Sequence, residues 1–421
     1  MSTRSLHLLA LLMPQGPIKL RLAVVSPFLD RSHGTELCIV EQIERLASLH
    51  GWEIQLYSQR VADVNGLSVH PSKDSGGRIS WHKVSEFSGP HLFKFIWWFL
   101  ANRALRWLDS RNPHLRPDLT YSPGINCFDA DAIIVHIVFH EFYLRVRPEL
   151  QLRRLPFSAW PRTLHRRLYY SLIMFLERRI YRDPRVRLAA VSHMVAEQLR
   201  IHFGREDVAV IPNAVDTAKF NPHARLARRA SSRNSLRHSD SEFVLLLIGN
   251  DWKKKGLDQL LRAMRLDQDL PLRLLVVGRD DPVLYHALLQ ESETLDRVHF
   301  LQPTPDVLSL YASADAYVGP SLEDAFGLPV LEAMACALPV IVSSRAGASE
   351  MIEDNRTGLI LRRPEDPTEL ATLLRRLYLD KSLQQKLGEA AAQAAQLFTW
   401  EINTAKTVEF LIESARTRST H

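Results

Sequence analysis

Two carboxylates eight positions apart stand in the most informative stretch of the sequence, PSLEDAFGLPVLEAMA from Pro320 to Ala335. Asp324 falls in a predicted loop and Glu332 about one turn inside the helix that follows, so both side chains can face one pocket. Carboxylates are good acceptors for the hydroxyl groups of a sugar. The competing interpretation is that Asp324 only caps the helix and Glu332 is a solvated surface group.

The turn before this helix is a candidate anion site. Gly327 supplies a tight turn, and Pro329 suits the first helical turn, where its missing N–H costs nothing, so the sequence predicts a helix that begins at Phe326 to Pro329. In open α/β sheets, ligands bind outside the carboxyl ends of the strands, where the N–H groups and dipole of a helix favour an anion. A pyrophosphate would fit this position.

A lysine cluster is a second candidate for binding an anion. The stretch GNDWKKKG from Gly249 to Gly256 places Lys253, Lys254 and Lys255 between a predicted strand and a predicted helix. A run of lysines is usually a solvated surface, but a lysine in this position can neutralise the charge on a leaving group. The context therefore favours a functional role for this loop.

The elements that must position these residues follow the pattern of two doubly wound α/β domains. Apolar runs alternate with helix-length segments in both halves, which is typical of parallel sheets. The polar, arginine-rich segment Ala224–Ser241 breaks the pattern, and a second series of strands begins after it. The sequence predicts strands at Leu20–Val25, Trp52–Tyr57, Ala132–Val135, Arg187–Val191, Phe243–Ile248, Leu272–Val277, Val298–Leu301, Ala316–Gly319 and Val340–Ser343, and helices at Glu36–Ala47, Val307–Ser313 and Trp400–Ser414.

The length of 421 residues also favours two domains, because it exceeds what one hydrophobic core normally organises. We assign residues 18–213 to an N-terminal domain, 214–399 to a C-terminal domain and 400–421 to a final helix. A return of this helix to the N-terminal domain stays open as an alternative.

Composition narrows the class of partner. The formal net charge of +6 could favour phosphorylated substrates, acidic lipid or nucleic acid. The basic clusters Arg225–Arg233 and Lys253–Lys255 are accompanied by no zinc-finger spacing or aromatic RNA-binding signature, so no nucleic-acid partner is expected. Three dispersed cysteines argue against a disulfide framework or a zinc site and favour the cytoplasm. The apolar stretch Leu6–Met13 is short and lacks a clear cleavage site, so no signal peptide is expected.

Together these stretches resemble the family-4 retaining glycosyltransferases of GT-B fold, the glycosyltransferase group 1 family, in which an acid, seven residues and a glutamate frame a Phe-Gly turn. The resemblance implies two Rossmann-like doubly wound domains facing across a cleft, the N-terminal one binding the acceptor and the C-terminal one the nucleotide sugar. The implied catalytic residues are Lys255, Asp324 and His136, and the implied donor-binding residues are Gly34, Lys254, Phe326, Gly327, Leu328 and Glu332.

The roles implied by the resemblance differ among these residues. Asp324 would contact the donor sugar and Glu332 the nucleotide ribose. Gly327 and Leu328 would offer backbone N–H groups to phosphate. The pair Lys254–Lys255 would bind the donor diphosphate, with Lys255 as the main contact.

Other matches lie in the first half of the chain. The stretch Ser26–Glu36 resembles a first-strand loop that closes over the donor, with Gly34 approaching its phosphates. His136 resembles a histidine near the reacting sugar, with His140 as a rival and plain packing as the alternative. Ala190–Ser192 also matches in order and is interpreted as structural.

The sequence departs from the family pattern at four positions. Asp324 is one methylene shorter than the usual glutamate, and Asn250 stands where an arginine is usual. Gln302 and Ala337 replace glycines. These departures leave the sugar and the nucleotide of the donor open.

The function implied by the resemblance is transfer of a sugar, with retention, from a nucleotide diphosphate sugar to a glycan or lipid-linked acceptor, in the synthesis of cell-surface polysaccharide or glycolipid. Lysines and a helix N-terminus would replace a divalent metal, so no cofactor or metal is expected besides the nucleotide sugar as co-substrate. The alternatives are a nucleotide-sugar epimerase of the same fold and a catalytically silent nucleotide-binding subunit.

An aromatic segment suggests contact with a membrane. Leu92–Leu100 reads LFKFIWWFL, with Arg103 and Arg106 nearby. Such a helix could rest on an anionic membrane interface, and a buried packing helix is the alternative. The expected location is the cytoplasm, with the inner face of the membrane as an open possibility.

Overall fold

The computed structural model describes residues 19–68, 79–154, 156–291 and 294–419. The stretch Leu6–Met13, considered above as a targeting segment, lies outside these residues. By its contacts the chain divides into two compact units, the first with the residues up to Ile134, Phe139–Leu188 and the residues from Lys406, and the second with Val135–Val138 and Ala189–Ala405. The chain passes to the second unit at Ala189, which is earlier than the predicted boundary between 213 and 214. The functional domain boundaries stay a prediction.

The first sheet has eight strands in the order β10-β9-β8-β7-β1-β3-β6-β5, and its central pairs are parallel. Two short strands, β2 and β4, pair separately. The strands are β1 Arg21–Val25, β2 Phe28–Leu29, β3 Glu53–Ser58, β4 Arg60–Val61, β5 Leu67–Ser68, β6 Ile79–Lys83, β7 Leu119–Ser122, β8 Ala132–Val135, β9 Arg187–Ala190 and β10 Ala209–Val210. The α-helices along this part of the chain are α1 Gly34–His50, α2 His91–Asp109, α3 Phe139–Val146, α4 Trp160–Tyr181 and α5 His193–Phe203.

The second sheet has six parallel strands in the order β13-β12-β11-β14-β15-β16. Its strands are β11 Phe243–Ile248, β12 Leu272–Val277, β13 Val298–Leu301, β14 Ala316–Gly319, β15 Val340–Ser343 and β16 Leu359–Leu361. The α-helices along this part of the chain are α6 Pro222–Ser235, α7 Leu257–Leu266, α8 His286–Glu291, α9 Val307–Ser313, α10 Leu328–Ala335, α11 Pro367–Leu379, α12 Lys381–Ala395 and α13 Trp400–Ser419, and α13 enters the first unit at Lys406. The order of the strands reverses between β11 and β14, so this pair forms the topological switch point at which such sheets bind ligands.

The strands of this sheet are nearly continuous apolar runs because the sheet is covered on both faces. Every residue of β14 and β15 is buried, as are five of the six residues of β11. Burial on both faces removes the alternation of apolar and polar residues that an exposed sheet shows. The prediction of two parallel-sheet α/β domains is confirmed.

The prediction that the segment Ala224–Ser241 interrupts the pattern of helices and strands is wrong, because most of this segment forms α6. Asn221 caps this helix by accepting a hydrogen bond from the Ala224 amide at 2.8 Å, and Pro222 occupies the first helical turn, where it is tolerated. The polar composition of this segment did not indicate a helix, because its arginines are used for hydrogen bonds to other parts of the unit.

Among the described residues, no helix is long and apolar enough to cross a bilayer.

Candidate functional site

The lysine loop, residues 249–256, leaves β11 at the switch point and is shaped by glycines at both ends. Gly249 and Gly256 have φ angles of 147° and 79°, which favour glycine. A Cβ atom on Gly249 would lie 2.7 Å from Cε of Lys255, and one on Gly256 would lie 2.1 Å from the carbonyl oxygen of Pro320. The glycines therefore let the Lys255 side chain and the loop after β14 come close to the end of β11.

Lys255 and Asp324 form the central pair of the site. The Lys255 Nζ atom lies 2.5 Å from Oδ2 of Asp324, and the two side chains are 22% and 17% exposed. The neighbouring Lys254 Nζ lies 3.9 Å from the Glu323 carboxylate. A backbone bond of 2.8 Å from the Leu322 amide to the Lys254 carbonyl fixes the two loops against each other. The fold thus brings together two lysines and two acids that lie about seventy positions apart in the sequence.

The donor loop, Asp324–Gly327, ends at the N-terminus of α10. Gly327 is the N-cap residue of α10, with φ of 95° and no side-chain cap. The helix begins at Leu328 with Pro329 in its first turn, within the predicted limits. The first N–H groups of a helix have no partner within it, so this end favours an anion. Because Gly327 caps the helix and Asp324 pairs with a lysine, the alternative that Asp324 serves only as the cap is wrong.

Glu332 lies inside α10 and is tied to a tyrosine. The buried Tyr311 hydroxyl donates to Oε2 of Glu332 at 2.6 Å. Burial raises the pKa of Glu332, an effect that the Tyr311 hydrogen bond and the charge of Lys219 oppose. Glu332 is therefore not a freely solvated surface group. One carboxylate oxygen is held in place, which suits a residue that presents an acceptor to a ligand in a fixed direction.

His136 follows β8 and is buried. Burial lowers its pKa to about 4, so the ring is neutral near pH 7. Its Nε2 atom has no hydrogen-bond partner among the described residues. The rival His140 is engaged differently, since its Nδ1 lies 2.6 Å from the Glu177 carboxylate. The contact of His140 with Glu177 does not by itself decide between the two histidines, and the catalytic role of His136 stays a prediction.

Gly34 is the first residue of α1, whose N-cap residue His33 makes no side-chain cap hydrogen bond. The preceding turn is held by Asp30, whose Oδ1 accepts from the His33 amide at 3.0 Å. Gly34 belongs to the first unit, whereas the lysine loop and the donor loop belong to the second. Its contact with donor phosphates stays a prediction.

The site includes residues that sequence reasoning did not find. Tyr311 lies in a predicted helix, and no local signal distinguishes it from a packing residue. Phe326, assigned to donor binding, is buried and uses its carbonyl to accept from the Ala348 amide at 2.7 Å. The segment Arg345–Ala348 beside it follows β15, and its position could have been inferred only from the order of the strands. In the described ranges, no group of three or more His, Cys, Asp or Glu side chains is placed to hold a metal ion.

Two family profiles match the chain. The profile described as "Glycosyl transferases group 1" matches residues 228–394, and the one described as "Glycosyltransferase Family 4" matches residues 32–219. The curated D-inositol 3-phosphate glycosyltransferase of Paenarthrobacter aurescens (strain TC1) is 33% identical over 239 residues, which cover 54% of this chain and 57% of that protein. Its counterpart from Arthrobacter sp. (strain FB24) is 34% identical over 239 residues, covering 54% and 55%. The chain thus spans little more than half the length of the curated relatives it matches.

Solved structures share the fold. WaaG, a glycosyltransferase involved in lipopolysaccharide biosynthesis, has a TM-score of 0.73 at 18% identity and covers 93% of this chain and 99% of its own. Sucrose-phosphate synthase from Thermosynechococcus elongatus has a TM-score of 0.72 at 20% identity, covering 94% and 99%. Anabaena Alr3699/HepE in complex with UDP and glucose has a TM-score of 0.68 at 18% identity, covering 94% and 100%. At these identities the likeness concerns the fold, and the predicted GT-B architecture is confirmed.

Proposed function

Because the chain belongs to the family-4, group 1 glycosyltransferases, we propose that it moves a sugar, with retention of anomeric configuration, from a nucleotide diphosphate sugar to a glycan or lipid-linked acceptor. The observation that carries the proposal is the Lys255–Asp324 pair at the switch point, beside the N-terminus of α10, where Gly327 offers no side-chain cap. Lys255, Asp324 and the first N–H groups of α10 lie at the carboxyl ends of the strands. They supply the cation, the acid and the hydrogen-bond donors that binding of a sugar diphosphate needs.

The residues divide the work between the leaving group and the sugar. When the glycosidic bond breaks, negative charge grows on the β-phosphate, and Lys255, Lys254 and the N–H groups of Gly327 and Leu328 stabilise it. Donor phosphate would replace Asp324 as the partner of Lys255. The carboxylate released in this exchange can accept a hydrogen bond from a sugar hydroxyl, while Glu332 holds the ribose.

The first experiment is a screen of UDP-, GDP- and ADP-sugars by thermal shift, because a ligand at a hundred times its dissociation constant adds about 2.7 kcal/mol of apparent stability. UDP-sugars come first, since the structures of HepE hold UDP and UDP-glucose. Donors that bind are then incubated with acceptor extract, and the anomeric configuration of the product is read by NMR. Interconversion of the sugar without an acceptor would indicate an epimerase, and binding without release of diphosphate would indicate a silent subunit.

Transfer without a divalent ion is part of the proposal. The two lysines and the helix N-terminus already supply a positive field for the diphosphate. Activity should therefore persist in EDTA. Complete loss of transfer in EDTA, restored only by magnesium or manganese, would contradict this part and leave the donor assignment to be judged by the binding screen.

The acceptor side of the proposal places the protein in the cytoplasm, at the inner face of an anionic membrane, in synthesis of cell-surface polysaccharide or glycolipid. Two packed helices of the first unit support it. In α2 the side chains of Phe93 and Leu100 are 55% and 61% exposed. In α4 the exposed apolar residues Leu164 and Leu168 accompany several exposed arginines, and the one acid of this helix, Glu177, is buried. Exposed apolar groups with basic neighbours suit an anionic lipid surface.

Flotation with liposomes of phosphatidylcholine and phosphatidylglycerol tests this surface. The double variant Phe93→Ser with Leu100→Ser should lose binding, because it removes two exposed apolar contacts without opening the core. Trp98 is unsuitable as a probe because it is buried. The control is Leu226→Ser with Leu379→Ser, which changes two equally exposed leucines of the second unit. Equal flotation of both double variants and the wild type would remove the membrane from the proposal.

A further inference from the structure

The Ser192 hydroxyl, interpreted from the sequence as structural, makes a contact with the donor loop. Ser192 is fully buried. Its Oγ accepts from the Val195 amide at 3.2 Å, which caps α5, and donates to the carbonyl oxygen of Ala325 at 3.0 Å. One side chain thus joins the start of α5 to the middle of the donor loop, and all of these atoms lie in the second unit.

The segment after β15 holds the rest of the donor loop. The Gly347 amide donates to the Asp324 carbonyl at 2.9 Å, and the Ala348 amide donates to the Phe326 carbonyl at 2.7 Å. With Ser192 on Ala325, three successive carbonyl groups of the loop each have a donor. The approach is close, because a Cβ on Gly347 would lie 2.2 Å from the Ala325 oxygen.

Holding these carbonyls also fixes the direction of the N–H groups. In a trans peptide the C=O of one residue and the N–H of the next point in opposite directions. The bond from Ser192 to the Ala325 carbonyl therefore turns the Phe326 N–H away from α5, and this N–H lies 3.4 Å from Oδ1 of Asp324. The bond to the Phe326 carbonyl likewise directs the Gly327 N–H.

A second residue keeps Ser192 in place. The Glu350 carboxylate accepts from the amides of His193 and Met194 at 2.8 and 2.7 Å, which are the first two residues of α5. Glu350 belongs to the short turn Gly347–Met351, which also carries the Gly347 contact. Helix α5 and the segment after β15 are therefore bound to each other as well as to the donor loop.

We propose that Ser192 is a positioning residue for transfer: through the Ala325–Phe326 peptide it orients the Asp324 carboxylate and the N–H groups that meet the donor phosphates. Glu350 supports it by fixing the start of α5. This inference rests on the proposed function for its kinetic consequence, and on geometry alone for its effect on the donor loop.

The test compares Ser192→Ala, Ser192→Thr and a matched control, Asp380→Ala. Asp380 caps α12 by accepting from the Leu383 amide at 2.9 Å, so its removal costs a helix cap without touching the donor loop. We expect Ser192→Ala to lower kcat by roughly 10- to 100-fold, the scale of effect of a small misplacement at a reacting centre, with a smaller change in donor KM. Ser192→Thr, which keeps the hydroxyl, should recover most of the rate, and Asp380→Ala should keep wild-type kcat at a similar loss of Tm.

Amide hydrogen exchange provides a readout that does not depend on activity. Exchange in the peptide that contains Asp324–Leu328 should be faster in Ser192→Ala than in the wild type and unchanged in Asp380→Ala. Unchanged exchange in Ser192→Ala, or unchanged kcat despite faster exchange, would overturn the positioning role. If the wild type transfers no sugar from any donor, the proposed function fails, and the exchange measurement still decides whether Ser192 holds the loop.

Discussion

The two basic clusters of the chain, Arg225–Arg233 and Lys253–Lys255, look alike in the sequence and differ completely in use. The arginine cluster lies on α6, and the guanidinium groups of Arg225, Arg229 and Arg233 bond to other parts of the second unit. Arg233 is only 2% exposed, and it donates to the Ser313 carbonyl at 3.1 Å and to Asp315 at 3.0 Å. The Asp315 carboxylate also accepts from Arg229 at 2.5 Å.

Burial leaves the arginine cluster little capacity for an outside anion. Burial, with a smaller effect of the Arg229 charge, lowers the pKa of Arg225 to about 10. The Arg225 guanidinium donates to the Ala314 carbonyl at 3.0 Å. These donors are already used by carbonyls and a carboxylate of the same unit, so the cluster stabilises the packing of α6.

The lysine cluster has the opposite arrangement. It lies at the carboxyl end of β11, and the partner of Lys255 is a single side chain, Asp324, on another loop. An anionic ligand can replace such a partner of the lysine without disrupting the fold. The comparison teaches that the number of positive charges does not identify an anion site. An anion site is identified by where the charges lie relative to strand ends and by the acceptors that they already bind.

The largest expected effect concerns stability and the arginine cluster. Arg233→Met should reduce the free energy of unfolding by about 3–5 kcal/mol, because the Ser313, Ser239 and Glu242 carbonyls lose a donor, at about 1–3 kcal/mol each. The Asp315 carboxylate keeps Arg229 and the Val244 amide as donors. Urea unfolding followed by circular dichroism measures the loss. The kcat of the folded fraction should stay at the wild-type value, and a fall in kcat at unchanged stability would reverse the assignment of the two clusters.

Lys255→Ala should show the converse behaviour. It removes a preorganised charge that acts on the leaving phosphate. The loss of transition-state stabilisation should be about 2.7–4 kcal/mol, and it should lower kcat more than it raises donor KM. The free energy of unfolding should change by less than about 1 kcal/mol, because the ion pair is partly exposed. Steady-state kinetics over a donor series measures the effect.

Variants of the two carboxylates serve as references for Lys255→Ala. Glu332→Gln should mainly raise donor KM, since a ribose contact acts in the ground state and the transition state alike. Asp324→Glu restores the acid length usual in the family and should keep turnover. If Lys255→Ala, Glu332→Gln and Asp324→Asn all behave like the wild type, the donor site lies elsewhere.

His136 extends the comparison to a side chain that burial keeps uncharged. Its folded-state pKa of about 4 lies below its ordinary value of 6.5, so the folded protein binds the proton less tightly than the unfolded chain. Its contribution to stability is therefore present above pH 6.5 and is lost as the pH falls through about 4. The loss should reach about 3 kcal/mol.

The measurement is the free energy of unfolding of the wild type and of His136→Gln at pH 7 and pH 4.5. The difference between the two proteins removes the contribution of the other acidic groups that titrate in this range. A wild type that loses no more stability than His136→Gln would show that the ring is solvated, which would also weaken its place near the reacting sugar.

The smallest effect is expected at the edge of the arginine cluster. Arg228 is 49% exposed and pairs with Asp306 at 2.7 Å. Arg228→Met should change the free energy of unfolding by no more than about 1 kcal/mol, because water screens an exposed pair. Urea unfolding beside Arg233→Met checks it. A loss as large as that of Arg233→Met would mean that position on α6, and not burial, decides the contribution of each arginine.

The fold was predictable because buried parallel strands leave unbroken apolar runs. The limits predicted for β8, β11 and β12 agree with the structure, and the turn at Gly327 was placed from glycine and proline alone. The residues that were missed depend on contacts between distant segments. Tyr311 meets Glu332 only because its hydroxyl reaches from α9 to α10, with β14 between them in the chain, and Ser192 meets Ala325 only because α5 is bound to the turn after β15. No local pattern encodes either contact.

The polar composition of α6 led the sequence analysis to the wrong conclusion for a related reason. Arginines and serines in a row resemble a solvated linker until their acceptors are known. Those acceptors are carbonyls about eighty positions later, at Ser313 and Ala314. Composition reports the charge of a segment, and only the fold supplies the partner.

The two bonds between Glu350 and the start of α5 join residues 157 and 156 positions apart in the chain. During synthesis, a ribosome must therefore release the turn Gly347–Met351 before the donor loop can receive all of the hydrogen bonds that hold it. Until then the parallel sheet is incomplete, and parallel sheets with distant strand pairing form slowly. A nascent chain that ends before this turn should fail to retain a nucleotide sugar, so donor binding would report that synthesis has passed the turn.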